Sequence, residues 1–149
     1  MANKVEIVNK KAKFEYTILD KYEAGIVLTG TEIKSIRQNK ASLSDAYCVF
    51  KNGELWAKNI HISEYTNGTY NNHDPKRDRK LLLHKYQLKR LESKIKESGL
   101  TIVPLRLYLN DKGLAKLEIA LVRGKKEYDK REAIKKRESE RNISKYLKP

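Results

Sequence analysis

"LTIVPLRLYLNDKGLAKLEIALV", residues 100–122, is the stretch whose pattern decides the fold. Leu105, Leu107 and Leu109 alternate with Arg106 and Tyr108. Leu117, Ile119 and Leu121 alternate with Lys116, Glu118 and Ala120. A side-chain period of two marks strands with one buried face. Asp111, Lys112 and Gly113 separate the two runs with turn-forming residues, so the stretch predicts two strands.

The same pattern recurs upstream. "DAYCVFKNGELWAKNIHI", residues 45–62, places two apolar runs around Asn52–Gly53, the dipeptide favoured in a type I′ hairpin turn. "FEYTILDKYEAGIVLTG", residues 14–30, is rich in β-branched and aromatic side chains and predicts two strands bent near Ala24–Gly25. "TEIKSIRQN" spaces Ile33 and Ile36 for a short helix, with Thr31 available as its cap. In "KLLLHKYQLKRLESKIKESG" the spacing of Leu88, Leu91 and Ile95 is helical, and Gly99 is a stop. Residues 1–12 are basic without a clear period. Residues 63–79, "SEYTNGTYNNHDPKRDR", predict an exposed, charged loop long enough to have a function.

The expected ordered unit, residues 1–122, is mainly β: about six short strands with two or three short helices. Small twisted antiparallel sheets remove their edges by closing, which favours a small closed antiparallel barrel of oligonucleotide-binding type. Residues 123–149 form a basic C-terminal tail. From Gly124 onward it carries ten basic residues against five acidic ones, and too few apolar side chains to build a core. It is expected to be disordered alone and helical on binding. On a helix, Lys130, Arg137, Arg141, Lys145 and Lys148 share one face, and Ile143, Tyr146 and Leu147 form a small apolar tip.

Of the 149 residues, 33 are basic and 19 acidic, a net charge of +14. Such a surplus is most simply matched by a polyanionic partner, and the basic clusters "NKKAK", "PKRDRK" and "RGKK" make nucleic acid the leading reading. Nine tyrosines suit base and ribose contact, although most are expected within the sheet. One cysteine, Cys48, excludes an intrachain disulfide and a Cys-based metal cluster. The N-terminus lacks the apolar segment of a signal peptide, and no apolar run approaches a membrane span, so a soluble cytoplasmic protein without membrane contact is expected. His61, His73 and His84 lie in no metal-ligand spacing, so no metal or cofactor is expected, and no nucleophile signature is present.

Eight stretches occur together and in order: "NKKAKFEY", "YEAGIVLTGTEIKSIR", "SLSDAY", "NGELW", "NIHI", "HDPKRDRKLLLHK", "VPLRLYL" and "RGKKEYDKRE". From about residue 7 to the end the chain resembles the SsrA-binding protein, or small protein B, family of bacterial trans-translation. The resemblance implies a barrel that carries transfer-messenger RNA to stalled ribosomes for rescue and peptide tagging, with no chemistry by the protein. It implies RNA contact at Asn9, Glu23, Leu82 and Lys116. Lys10, Lys11, Arg77, Arg79, Lys80, Lys125 and Lys126 join them on charge. It also implies that the tail enters the empty messenger channel from the decoding centre. Tyr128, Asp129, Lys130 and Arg131 would stand where it leaves the barrel, followed by Arg137, Arg141, Ile143, Lys145, Tyr146 and Leu147. The free protein is expected to be a monomer.

The sequence departs from that family at Asn39, where glycine is usual. Asparagine also tolerates a left-handed backbone, so the turn is expected to survive. Tyr86 and Gln87 stand where charged residues are usual, and Glu64 where proline is common. Two alternatives from other classes are a ribosomal or initiation-factor-like RNA-binding module and a metal-dependent nuclease built on Glu64, His73 and Asp74.

Overall fold

The computed structural model describes residues 5–65, 72–97 and 99–124. In chain order the elements are β1 (Glu6–Val8), α1 (Lys10–Glu15), β2 (Tyr16–Ile26), α2 (Gly30–Arg37), β3 (Ala41–Ser42), β4 (Tyr47–Lys51), β5 (Glu54–Lys58), β6 (His61–Ile62), β7 (Arg79–Leu82), α3 (Lys85–Ile95), β8 (Leu100–Leu109) and β9 (Ala115–Gly124).

Every described strand pairing is antiparallel. Following hydrogen-bonded neighbours from β8 through β4, β5, β7, β2 and β9 returns to β8, so six strands close into a barrel. β1 adds to the free length of β8, and β3 with β6 forms a separate two-stranded ribbon. The closure is uneven: β2 and β9 share nine residue pairs, whereas β4 and β8 meet only at Cys48 and Ile102.

The barrel interior is filled by Ala24, Ile26, Leu55, Ala57, Leu81, Ile102, Leu107, Leu117, Ile119 and Leu121. Ile36 from α2 and Leu91 from α3, both without solvent exposure, belong to the same core. A second cluster lies outside the barrel, where Ala12 of α1 packs with Val103, Leu105, Ala120 and Val122. β8 and β9 are therefore buried on both faces toward that end, which explains the unbroken apolar runs "TIV" and "IALV".

Several expectations change in detail. Residues 14–26 do not form two strands. Phe14 and Glu15 end α1, and β2 runs unbroken for 11 residues with a register shift between Ile18 and Asp20 rather than a break at Ala24–Gly25. Leu105 does not alternate with Leu107 into one core. The β8 register shifts between Pro104 and Arg106, which turns Leu105 out to the second cluster. α2 is capped by Thr29, not Thr31: the Thr29 hydroxyl accepts from the Glu32 N–H, and the Glu32 carboxylate accepts from the Thr29 N–H. The β4–β5 hairpin has positive φ at Asn52 (54°) and Gly53 (77°), as its turn type demands. Asn39 has φ 57°, the left-handed conformation expected of it.

Candidate RNA interface

Strand alternation turns Glu23 and Gly25 of β2, Lys116 and Glu118 of β9, Arg106 and Tyr108 of β8, and Glu6 of β1 to the barrel's outer face. The register aligns them in two rows. One runs Glu23–Glu118–Arg106–Val8; the other runs Leu82–Gly25–Lys116–Tyr108–Glu6. Residues distant in sequence thus become lateral neighbours.

The polar side chains on this face are tied to one another. The Tyr108 hydroxyl donates to the Glu23 carboxylate. Arg106 lies over the Tyr108 ring at 4.3 Å, donates to Glu6 at 2.7 Å and faces Glu118 at 3.6 Å. Partial burial and the bond to Glu23 push the Tyr108 phenol up to about 12. The carboxylates fix the direction of the arginine and the phenol, leaving a patterned surface rather than a loose cationic one. Leu82 is 53 % exposed and crosses Gly25, where an added Cβ would stand 3.4 Å from the Leu82 Cβ. Lys80 lies on the outward side of β7 and pairs with Glu54.

Asn9 is placed differently from the contact expected of it. It is 5 % exposed, and its side chain accepts from the Ala12 N–H while donating to the carbonyls of Leu43 and Pro104 at 3.2 and 2.9 Å. Its backbone N–H donates to the Leu105 carbonyl at 2.8 Å. Asn9 therefore binds the β8 irregularity to the start of α1. Lys10 is exposed beside it, and Lys11 lies near Glu15 and Asp45 at 3.6 and 3.7 Å.

Arg79 is not a surface cation. It has no solvent exposure and donates to Glu32 at 2.6 Å and to the Ile60 and Pro75 carbonyls at 2.7 and 3.2 Å. A fully paired buried guanidinium has no face left for a phosphate. Arg77 is partly exposed but directed inward, donating to Glu32 at 2.7 Å and to the Val27 carbonyl at 3.1 Å. His73 is buried. Its Nε2 meets the Ile62 carbonyl at 2.8 Å, and a carbonyl only accepts, so that nitrogen carries the proton and Nδ1 accepts from the Thr31 hydroxyl at 2.9 Å. With both nitrogens engaged inside the fold, His73 does not assemble a nuclease centre with Asp74 and Glu64. Residues 72–79, expected to be a solvated loop, are instead a strap locked onto α2.

Arg106 and Tyr108 share this outer face with Glu23 and Lys116 and were not singled out from sequence. Their signal was present: they are the polar partners in the alternation of β8. Lys125, Lys126 and the tail residues from Tyr128 to Leu147 lie outside the described residues. Among the described residues, no cluster of histidine, cysteine, aspartate or glutamate could hold a metal ion, and no helix is long and apolar enough to cross a membrane.

A closed six-stranded antiparallel barrel with an outward polar and aromatic face is a barrel of the oligonucleotide-binding class. The chain belongs to the SmpB protein family, whose family model matches residues 6–149. The SsrA-binding protein of Cytophaga hutchinsonii is 61 % identical over 139 residues, covering 93 % of this chain and 91 % of that one. The SsrA-binding protein of Parabacteroides distasonis is 55 % identical over 148 residues, covering 99 % and 97 %. A solved chain described as "tmRNA-SmpB: a journey to the center of the bacterial ribosome" superposes with a TM-score of 0.70 at 47 % identity, covering 81 % of this chain and 85 % of that one.

Proposed function

We propose that this protein binds the tRNA-like part of transfer-messenger RNA, the SsrA RNA, and delivers it to stalled ribosomes in the cytoplasm for trans-translation. It acts as a carrier, without a bond-making step of its own. The observation that carries this reading is the assembly of Glu23, Leu82 and Lys116 on one outer face by strand register, in a chain of the SmpB family. Lys116 offers a phosphate its ammonium, and Leu82 offers an apolar surface for a base or sugar. Glu23 adds an acceptor oriented by Tyr108, suited to a base amino group rather than to a phosphate. Lys10 extends the positive field beside Asn9. We assign ribosome contact to the tail, with Tyr128 to Arg131 near the decoding centre and Arg137, Arg141, Ile143, Lys145, Tyr146 and Leu147 along the messenger channel.

The test is filter binding of an in vitro transcript of the tRNA-like domain to the full chain and to a Glu23→Ala/Leu82→Ala/Lys116→Ala variant. The expected result is a loss of affinity of at least about a hundredfold, equivalent to roughly 2.7 kcal/mol. An unchanged affinity would remove this face from the reading.

A further inference from the structure

β7 runs from Arg79 to Leu82, and His84 has extended torsions as the residue before α3. The alternation of β7 continues through it: Arg79, Leu81 and Leu83 turn inward, while Lys80, Leu82 and His84 turn outward. Outward residues two apart are separated by roughly 6.6 Å along a strand. At the end of this strip the chain enters α3, and the Tyr86 ring, 69 % exposed, lies parallel to the His84 imidazole. Their centroids are 5.7 Å apart and the planes differ by 11°. The Gln87 side chain accepts from the His84 N–H at 3.1 Å and fixes the turn that brings the rings together.

A large aromatic ring two-thirds exposed and held parallel to a second ring presents one flat face to solvent. It lies beyond Leu82 on the outward strip of β7, and the exposed Lys85 stands between the two rings in sequence. We propose that the His84–Tyr86 pair is a ledge on which an unpaired nucleobase of the bound RNA stacks, next to the base or sugar that meets Leu82. Stacking on an aromatic side chain tolerates any base identity, since every base has a π-face, so the ledge adds affinity without reading sequence. The inference rests on the RNA-binding reading above.

The experiment uses the full chain and the transcript of the tRNA-like domain, with a hairpin RNA of equal length as control. Tyr86→Ala is expected to weaken binding about tenfold and Tyr86→Phe to leave it unchanged, because a stacked base contributes roughly 1–3 kcal/mol by alanine substitution. The slope of log affinity against log salt should stay the same in both variants, since no phosphate contact is lost. Parent-like affinity for Tyr86→Ala, with Leu82→Ala still impaired, would overturn the ledge and leave the RNA face standing. A parent protein that does not distinguish the transcript from the control hairpin would overturn both. Near-native unfolding midpoints for the exposed Tyr86 variants exclude misfolding as the cause of a loss.

Discussion

Arg79 and Glu32 meet at 2.6 Å, with both side chains wholly removed from solvent. The contact joins β7 to the first turn of α2. Glu32 also accepts from Arg77 and from the Thr29 N–H, so one carboxylate holds two guanidinium groups and a helix cap. Removing it would leave a buried arginine without its counter-charge. Glu32→Ala is therefore expected to destabilise the fold by about 3–5 kcal/mol, measured as a shift in the urea unfolding midpoint. Asp78→Ala, on an exposed residue 3.7 Å from Lys58, should change the same midpoint little.

The same carboxylate sets an acid limit. Burial alone would push the Glu32 pKa up. The bonds from Arg77 and Thr29 and the charge of Arg79 outweigh burial and hold it below its ordinary 4.5. The unfolded chain then binds this proton more readily than the folded one. The contribution is complete above about pH 4.5 and is lost as pH falls through the lower folded value. Unfolding midpoints followed down through this range should fall faster for the parent than for Glu32→Gln, in which the carboxylate is absent.

Tyr108 gives an alkaline counterpart. Its phenol titrates near 12, through partial burial and its bond to Glu23, and Tyr22 also titrates near 12, through burial and a bond to Asp20. A raised folded value means that the fold favours the protonated phenol. The stabilisation is full below the ordinary value of 10.0 and lost as pH rises towards 12. Ultraviolet titration of tyrosinate should show late-ionising tyrosines, and Glu23→Gln should bring one of them to lower pH while Asp20 still holds Tyr22.

Cys48 reports on the barrel seam. Burial raises its thiol well above the ordinary value, so almost no reactive thiolate exists near neutral pH. Alkylation followed by mass spectrometry should leave it unmodified in the native protein and label it in denaturant. Rapid native labelling would mean that β4 separates readily from β8.

Gly25→Val tests the crossing of Leu82. Even the first carbon of a side chain would touch Leu82 at 3.4 Å, so the larger branched one should push Leu82 off its row. RNA affinity is expected to fall about as far as in Leu82→Ala. The strand itself should survive, because valine suits extended backbone.

Sequence periodicity revealed β9 because its inward residues Leu117, Ile119 and Leu121 keep phase to the end. It misplaced Leu105 because a bulge changes phase without changing composition, and the device that holds the bulge, Asn9, is distant along the chain. Charge misled at Arg79. A cation in a run of turn-forming residues reads as solvated, yet Arg79 is in phase with Leu81 and Leu83 and so belongs to the inward side. Its acid partner, Glu32, occupies a buried helical position that a pattern of apolar residues does not mark. The face of Glu23, Gly25, Lys116 and Tyr108 depended on register, which pairs residues across the whole chain. The resemblance to a family pointed beforehand to Glu23 and Lys116 of this face, and nothing pointed to Gly25 or Tyr108 as its members.

The uneven circuit of strands has a consequence for how the chain is made. β2 finds its long partner only in β9, from Tyr16 opposite Gly124 to Gly25 opposite Lys116. β1 waits for β8 in the same way. A nascent chain can form the local β4–β5 hairpin early, but β1 has no partner until β8 has been synthesised, and β2, apart from its end beside β7, waits for β9. Pairings of such sequence separation carry a large loop-closure entropy and slow folding relative to a helical protein of similar size. Barrel closure therefore waits for β9, and until then the exposed edges of β1 and β2 are the parts of the newborn chain most open to wrong partners.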